Sequence, residues 1–235
     1  MIPLRDDQPC FSTPFITYFL IALNILVFLF ELSPAFQTRG ELNALLFQFG
    51  VVPRHEIALL TGTPVFSPGA ALFPIVTSMF LHASLAHIVG NMWVLWLFGD
   101  NIEDYLGHFR YLVFYLLSGV AASVTHIVLN PSSRIPSVGA SGAIAGVMGA
   151  YFVLFPTSRV LTWVFFIFFI RLPAWLVLGY WFVLQFLAGA AAAISYDHAS
   201  TGGVAVWAHV GGFIMGILLV KLFPVRRQYY SIEGY

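Results

Sequence analysis

The chain has 235 residues, 60% of them apolar and only 9% charged, with acidic and basic side chains in equal number. Water-soluble domains carry about a quarter charged residues, so this composition excludes a soluble globular protein and describes an integral membrane protein. Zero net charge offers no footprint for nucleic acid, and the single cysteine, Cys10, excludes an intramolecular disulfide.

Residues 1–13 read as a short polar tail with Arg5, Asp6 and Asp7. A first span runs from Pro14 to Leu32. Its apolar stretch exceeds the ~7–15 residues of a signal core, which makes it a retained signal-anchor helix. Residues 33–73 form the longest polar connection. Within it Leu42, Leu45, Leu46 and Phe49 have helical spacing, so an amphipathic interfacial element is expected, stopped by Gly50 and Pro53. The second span covers Phe73–Gly99 and the third Arg110–Leu129, followed by a Pro/Ser/Gly loop at 130–140. The fourth runs from Ser141 to Phe155 and stops at Pro156. At 1.5 Å per residue it rises roughly 22 Å, short of the ~30 Å hydrocarbon core. The loop before it must therefore dip below the surface, where irregular backbone survives only buried in protein or lining a wet cavity.

Residues 157–172 are too short to span between Arg159 and Arg171 and are expected at the interface. The fifth span is Pro173–Ile194 and the sixth Val204–Phe223. The fold class is thus all-α and integral to the membrane: a six-span domain over 14–223, between tails at 1–13 and 224–235. Arg5, Arg110, Arg159, Arg171, Lys221, Arg226 and Arg227 fall on one side of such a bundle, and Arg39, Arg54 and Arg134 on the other. The basic excess puts both termini in the cytoplasm of a multi-pass cell (plasma or inner) membrane protein. No long-period repeat suggests an inverted-repeat transporter.

Ionisable and nucleophilic side chains inside membrane spans are costly and mark function by default. Ser141, in Gly139-Ala140-Ser141-Gly142, opens the fourth span, beside unpaired backbone N–H groups and the positive end of the helix dipole. Taken alone, Gly142, Gly146 and Gly149 read as a helix-packing stripe. His209 precedes Gly212 and Gly216 on one face of the sixth span. A glycine face permits close approach to the small face Ser141, Ala145, Gly149, and that packing brings His209 to Ser141 as nucleophile and base. On the second span His87 and Asn91 share a face, with His82 pointing elsewhere. They serve either interhelical hydrogen bonding or an oxyanion. No carboxylate accompanies the histidines and there is no His-Glu-x-x-His, so neither a metal nor any other cofactor is expected. Asp100, Glu103 and Asp104 read as a solvated helix end. Trp181 and Gln185, one turn apart, either line an access path or simply pack.

Together these residues resemble the rhomboid family of intramembrane serine proteases. The resemblance is carried by Gly139-Ala140-Ser141-Gly142, Ala208-His209-x-x-Gly212-x-x-x-Gly216, and His82-x-x-x-x-His87-x-x-x-Asn91 followed by Glu103 and Gly107. Phe49-Gly50-Val51-Val52-Pro53 also looks like bacterial members. It implies a six-helix rhomboid-like bundle with a Ser141–His209 dyad, oxyanion stabilisation by His87 and Asn91, and His82 supporting the loop above the site. It further implies a cap over residues 195–206 and lateral access between spans two and five. The implied partners are the lipid bilayer and single-span membrane proteins, cut near the outer end of their helix. Two departures stand out: Ala145 occupies a position where some members carry a tyrosine stacked on the histidine, and the family's Trp-Arg pair of the first loop is not evident. The alternatives are an inactive rhomboid-like adaptor or chaperone, and a small multi-span transporter.

Overall fold

A computed structural model describes residues 1–33, 35, 38–62, 72–165, 167–194 and 205–225. In chain order the elements are β1 (Ile2–Asp6), α1 (Phe15–Glu31), α2 (Arg39–Phe49), α3 (Pro53–Leu60), α4 (Leu85–Leu106), α5 (His108–Leu129), α6 (Ser141–Leu154), β2 (Arg159–Val164), β3 (Phe168–Pro173), α7 (Ala174–Ile194) and α8 (Val206–Val220). The fold is mostly helical, with a small sheet that the all-α expectation omitted. By length and composition α5 and α7 can each cross a membrane; Pro74–Phe80 and α4 pass the same test as one bent pair. α1, α6 and α8 are apolar but shorter.

α6 lies at the centre, packed by α4, α5, α7 and α8. Every residue from Gly142 to Tyr151 is buried. A helix apolar all round belongs in such a position, and one surrounded by protein need not match the lipid thickness. Its tightest neighbour is α8. A Cβ added at Gly212 would lie 2.1 Å from the Gly142 carbonyl oxygen, and one at Gly216 2.0 Å from that of Gly146. The two backbones therefore touch, and only glycine fits. The seam on α6 is Gly142–Gly146–Gly149, not the expected row Ser141–Ala145–Gly149. Ser141 is left at its margin, where it lines a cavity.

The second span differs from its expected bounds. Pro74–Thr77 and a 3-10 turn at Ser78–Phe80 are set off from α4 by a 91° bend. Leu81 and Ser84 are extended, and the Ser84 hydroxyl caps α4 by accepting from the His87 N–H at 3.2 Å. The helix proper starts at Leu85 and continues to Leu106. The apolar stretch from Phe73 conceals this break because Met79, Phe80 and Leu81 carry the hydrophobic run up to it and Leu85, Ile88 and Val89 resume it.

The acidic trio is not a solvated end. Glu103 is fully buried and accepts from the N–H groups of Ile16 (2.8 Å) and Thr17 (2.7 Å), from the Thr17 hydroxyl, and from His108 Nδ1. A carboxylate thus satisfies the orphan donors that open α1. Asp104 accepts from Phe11 N–H and Ser12 Oγ. The N-terminal tail is likewise structured: β1 pairs antiparallel with β2, and β2 with β3. Val160, Thr162 and Val164 point inward with the period of two that a half-buried strand requires. Trp163 stacks on its cross-strand partner Phe169 at 5.9 Å. The sheet gathers Arg5, Arg159 and Arg171 at one end of the bundle. Near the other end the Val51–Ser137 bridge and the Arg54 N–H to Ser133 carbonyl bond tie the long first loop to the loop before α6.

Within that long loop α2 forms as expected, its start closed by reciprocal bonds between Thr38 and Glu41. Pro53, expected to mark a stop, instead opens α3: proline suits the first helical position because no N–H is needed there. Most of the Thr61–Gly69 cluster lies outside the described residues.

On α3, Glu56 is 5% exposed, and its Oε2 has no hydrogen-bond partner among the described residues. Burial pushes its carboxyl up from 4.5 to about 7. The folded chain therefore holds a proton that the unfolded chain releases, so stability falls as pH rises through that window. The thermal midpoint of Glu56→Gln in detergent should match wild type near pH 4.5, exceed it increasingly up to about pH 7 and level off above that. A pH-independent difference would contradict a neutral buried carboxyl.

Candidate active site

Ser141 is the first residue of α6, following a backbone that ordinary residues would resist. Gly139 has φ +125° and donates its N–H to the Ser78 carbonyl at 2.8 Å. A Cβ there would lie 2.7 Å from the His87 ring, so conformation and space both demand glycine. Helix geometry leaves the N–H groups of Ser141, Gly142 and Ala143 without intrahelical acceptors. His209 sits in the first turn of α8, its N–H bonded to the Ala205 carbonyl.

The glycine seam sets these two helix starts side by side. His209 Nε2 lies 2.7 Å from Ser141 Oγ. The His209 side chain is buried, and its Nδ1 lies 2.9 Å from Gln185 Oε1 on α7. An amide oxygen only accepts, so Nδ1 carries the ring hydrogen and Nε2 presents a lone pair to the serine hydroxyl. Trp181, one turn before Gln185, packs on the imidazole with ring centroids 5.8 Å apart at 39°. Ala145 is buried, and the aromatic partner of His209 comes from α7.

His82, His87 and Asn91 converge. Asn91 Nδ2 donates to His82 Nε2 at 2.9 Å, and the His82 and His87 rings meet edge to face at 5.1 Å. The expectation that His82 points elsewhere assumed a continuous helix; the residue instead belongs to the extended turn before α4. Its N–H donates to Glu31 Oε1 at 3.1 Å, so the end of α1 anchors that turn. A cavity of about 510 Å³ lies against the pair, lined by Ser141, His209, His87, Asn91, Gly139 and Ser78 among others. Ser141, His209 and the polar side chains of His87 and Asn91 thus face one space with room for several water molecules. Residues 195–204, most of the expected cap, lie outside the described residues.

Two contacts were not assigned from sequence. Gln185 had equal claims to packing and to lining a path; a lone amide in an apolar span was the usable signal. Glu31 ended an apolar run with nothing to name its partner.

A Rhomboid domain family model matches residues 70–225. The chain belongs to the rhomboid family. Similar relatives include the human presenilin-associated rhomboid-like protein, mitochondrial, at 31% identity over 86% of this chain and 46% of that protein. The yeast (Saccharomyces cerevisiae) Rhomboid protein 1, mitochondrial, is 33% identical over 61% of this chain and 40% of its own length. Rhomboid protease GluP of Bacillus subtilis is 33% identical over 62% of this chain and 26% of its own. The chain therefore spans less than half the length of these relatives. In this rhomboid the seam sets backbone against backbone. Gly216→Val should lower the thermal midpoint in detergent by the equivalent of about 1–3 kcal/mol or more, because the added atoms meet backbone. An unchanged midpoint would show that α6 and α8 are not in backbone contact.

Proposed function

We propose that this rhomboid is an intramembrane serine endopeptidase, and the observation carrying the reading is the 2.7 Å contact between Ser141 Oγ and His209 Nε2. Ser141 attacks the scissile carbonyl as its proton passes to Nε2. The tetrahedral oxyanion collapses, the C–N bond breaks, and His209 returns the proton to the departing amine. Water, activated by the same nitrogen, then hydrolyses the acyl-enzyme. The Ser141 N–H, Asn91 and His87 surround the position of the oxyanion, and each such donor is worth roughly 2.7–4 kcal/mol of barrier.

The membrane arrangement follows from the same reading. α1, α4, α5, α6, α7 and α8 form six spans, with the sheet and both termini on the cytoplasmic side of a cell or inner membrane. The clustering of Arg5, Arg159 and Arg171 in one sheet supports this orientation. Substrates are single-span membrane proteins admitted between α4 and α7, both of which pack against α6. The name Rhomboid protease GluP supports proteolysis, and the relatives named mitochondrial widen the set of membranes in which such a bundle works.

Reconstituted in liposomes with a panel of single-span proteins, the wild type should cleave at least one. Ser141→Ala and His209→Ala should leave every substrate intact, Ser141→Ala with an unchanged thermal midpoint. Asn91→Ala should lower kcat by about 10²–10³. Cleavage by Ser141→Ala would reject the serine mechanism.

A further inference from the structure

We propose that Gln185 is the positioning residue for His209, so that the site works as a Ser–His–Gln chain held by α7. The inference rests on the serine-protease reading and adds to it the group that orients the base.

An imidazole on one rotatable stem has two nitrogens, and only one orientation and tautomer leaves a basic Nε2 facing Ser141. Burial alone does not choose between them. The Gln185 Oε1 contact at 2.9 Å does, because a carbonyl oxygen accepts only from a protonated Nδ1. Trp181, a turn earlier on the same helix, bears on the ring face. Two contacts from one helix, at an edge and a face, fix both the tilt and the rotation of the ring.

The chemistry suits the setting. When Nε2 takes the serine proton, the ring becomes a cation, and the amide oxygen faces the Nδ1–H where positive charge grows. Gln185 neither gains nor loses a proton: the proton moves from Oγ to Nε2 and then to the leaving amine. A carboxylate here would complete the familiar triad, but an ionised group inside a span is costly. An amide supplies the acceptor without that charge. Gln185 also flanks lipid-facing neighbours, since Leu184 and Phe186 are exposed, and a polar side chain there needs a partner such as His209.

The test compares Gln185→Leu and Gln185→Glu with wild type and Ser141→Ala in liposomes, using the substrate cleaved above and a fluorophosphonate probe. Gln185→Leu should lower kcat by about 10–100-fold, below the 10²–10⁴ of general-base catalysis. KM should be unchanged, and fluorophosphonate inactivation should slow by the same factor. Gln185→Glu, which keeps the acceptor, should recover most of both rates. A role in packing alone would move the thermal midpoint without this split between kcat and KM. Should Gln185→Leu not fold, Gln185→Asn, with its oxygen withdrawn by one methylene, should show the same loss. Wild-type kcat and inactivation rate in the Leu or Asn variant, or equal impairment of Leu and Glu variants, would overturn the proposal. With Ser141→Ala inert, such a result removes only Gln185's role; cleavage by Ser141→Ala would instead remove the protease reading.

Discussion

The contact on which the rest of this molecule depends is the backbone-to-backbone seam between α6 and α8. Glycines at 142, 146, 149, 212 and 216 bring two helices closer than any side chain would allow. Inside a membrane no hydrophobic drive separates helix from lipid, so close van der Waals packing must hold the pair. Because Ser141 and His209 both occupy first turns, the seam converts sequence spacing directly into a hydrogen bond.

Away from the seam, several polar groups that would be costly in hydrocarbon find partners at helix ends. Glu103 closes the start of α1, Ser84 closes that of α4, and Glu31 holds the turn carrying His82. That turn in turn places His82 against Asn91 beside the cavity. The end of α1 thus positions the start of α4, which forms one wall of the site. From α7, Trp181 and Gln185 contact the imidazole.

Much of this was legible in the chain. The apolar runs placed α1, α5, α6, α7 and α8 within a few residues of their observed bounds, because lipid-facing and core-facing positions are both apolar. The same uniformity hid the break before α4, since Thr77 and Ser78 are small and His82 is the first large polar residue after Phe73. Glycine spacing indicated which helix His209 approaches, though not which row of α6 it meets, since Ala145 and Gly146 are both small. The sheet was hidden for another reason: Ile2 pairs with Trp163, and such distant pairing leaves no local periodicity to read. The acidic trio looked solvated because nothing in a local window shows that a helix start far upstream consumes Glu103.

The account stands on Ser141 being a nucleophile made reactive by the imidazole beside it. The most direct measurement is peptide-level mass spectrometry of the membrane-embedded protein after exposure to a fluorophosphonate, for wild type and His209→Ala in parallel. The account predicts one phosphonyl adduct, on Ser141, in the wild type and almost none in the variant. An adduct on another residue, or equal modification of Ser141 without the imidazole, would contradict it.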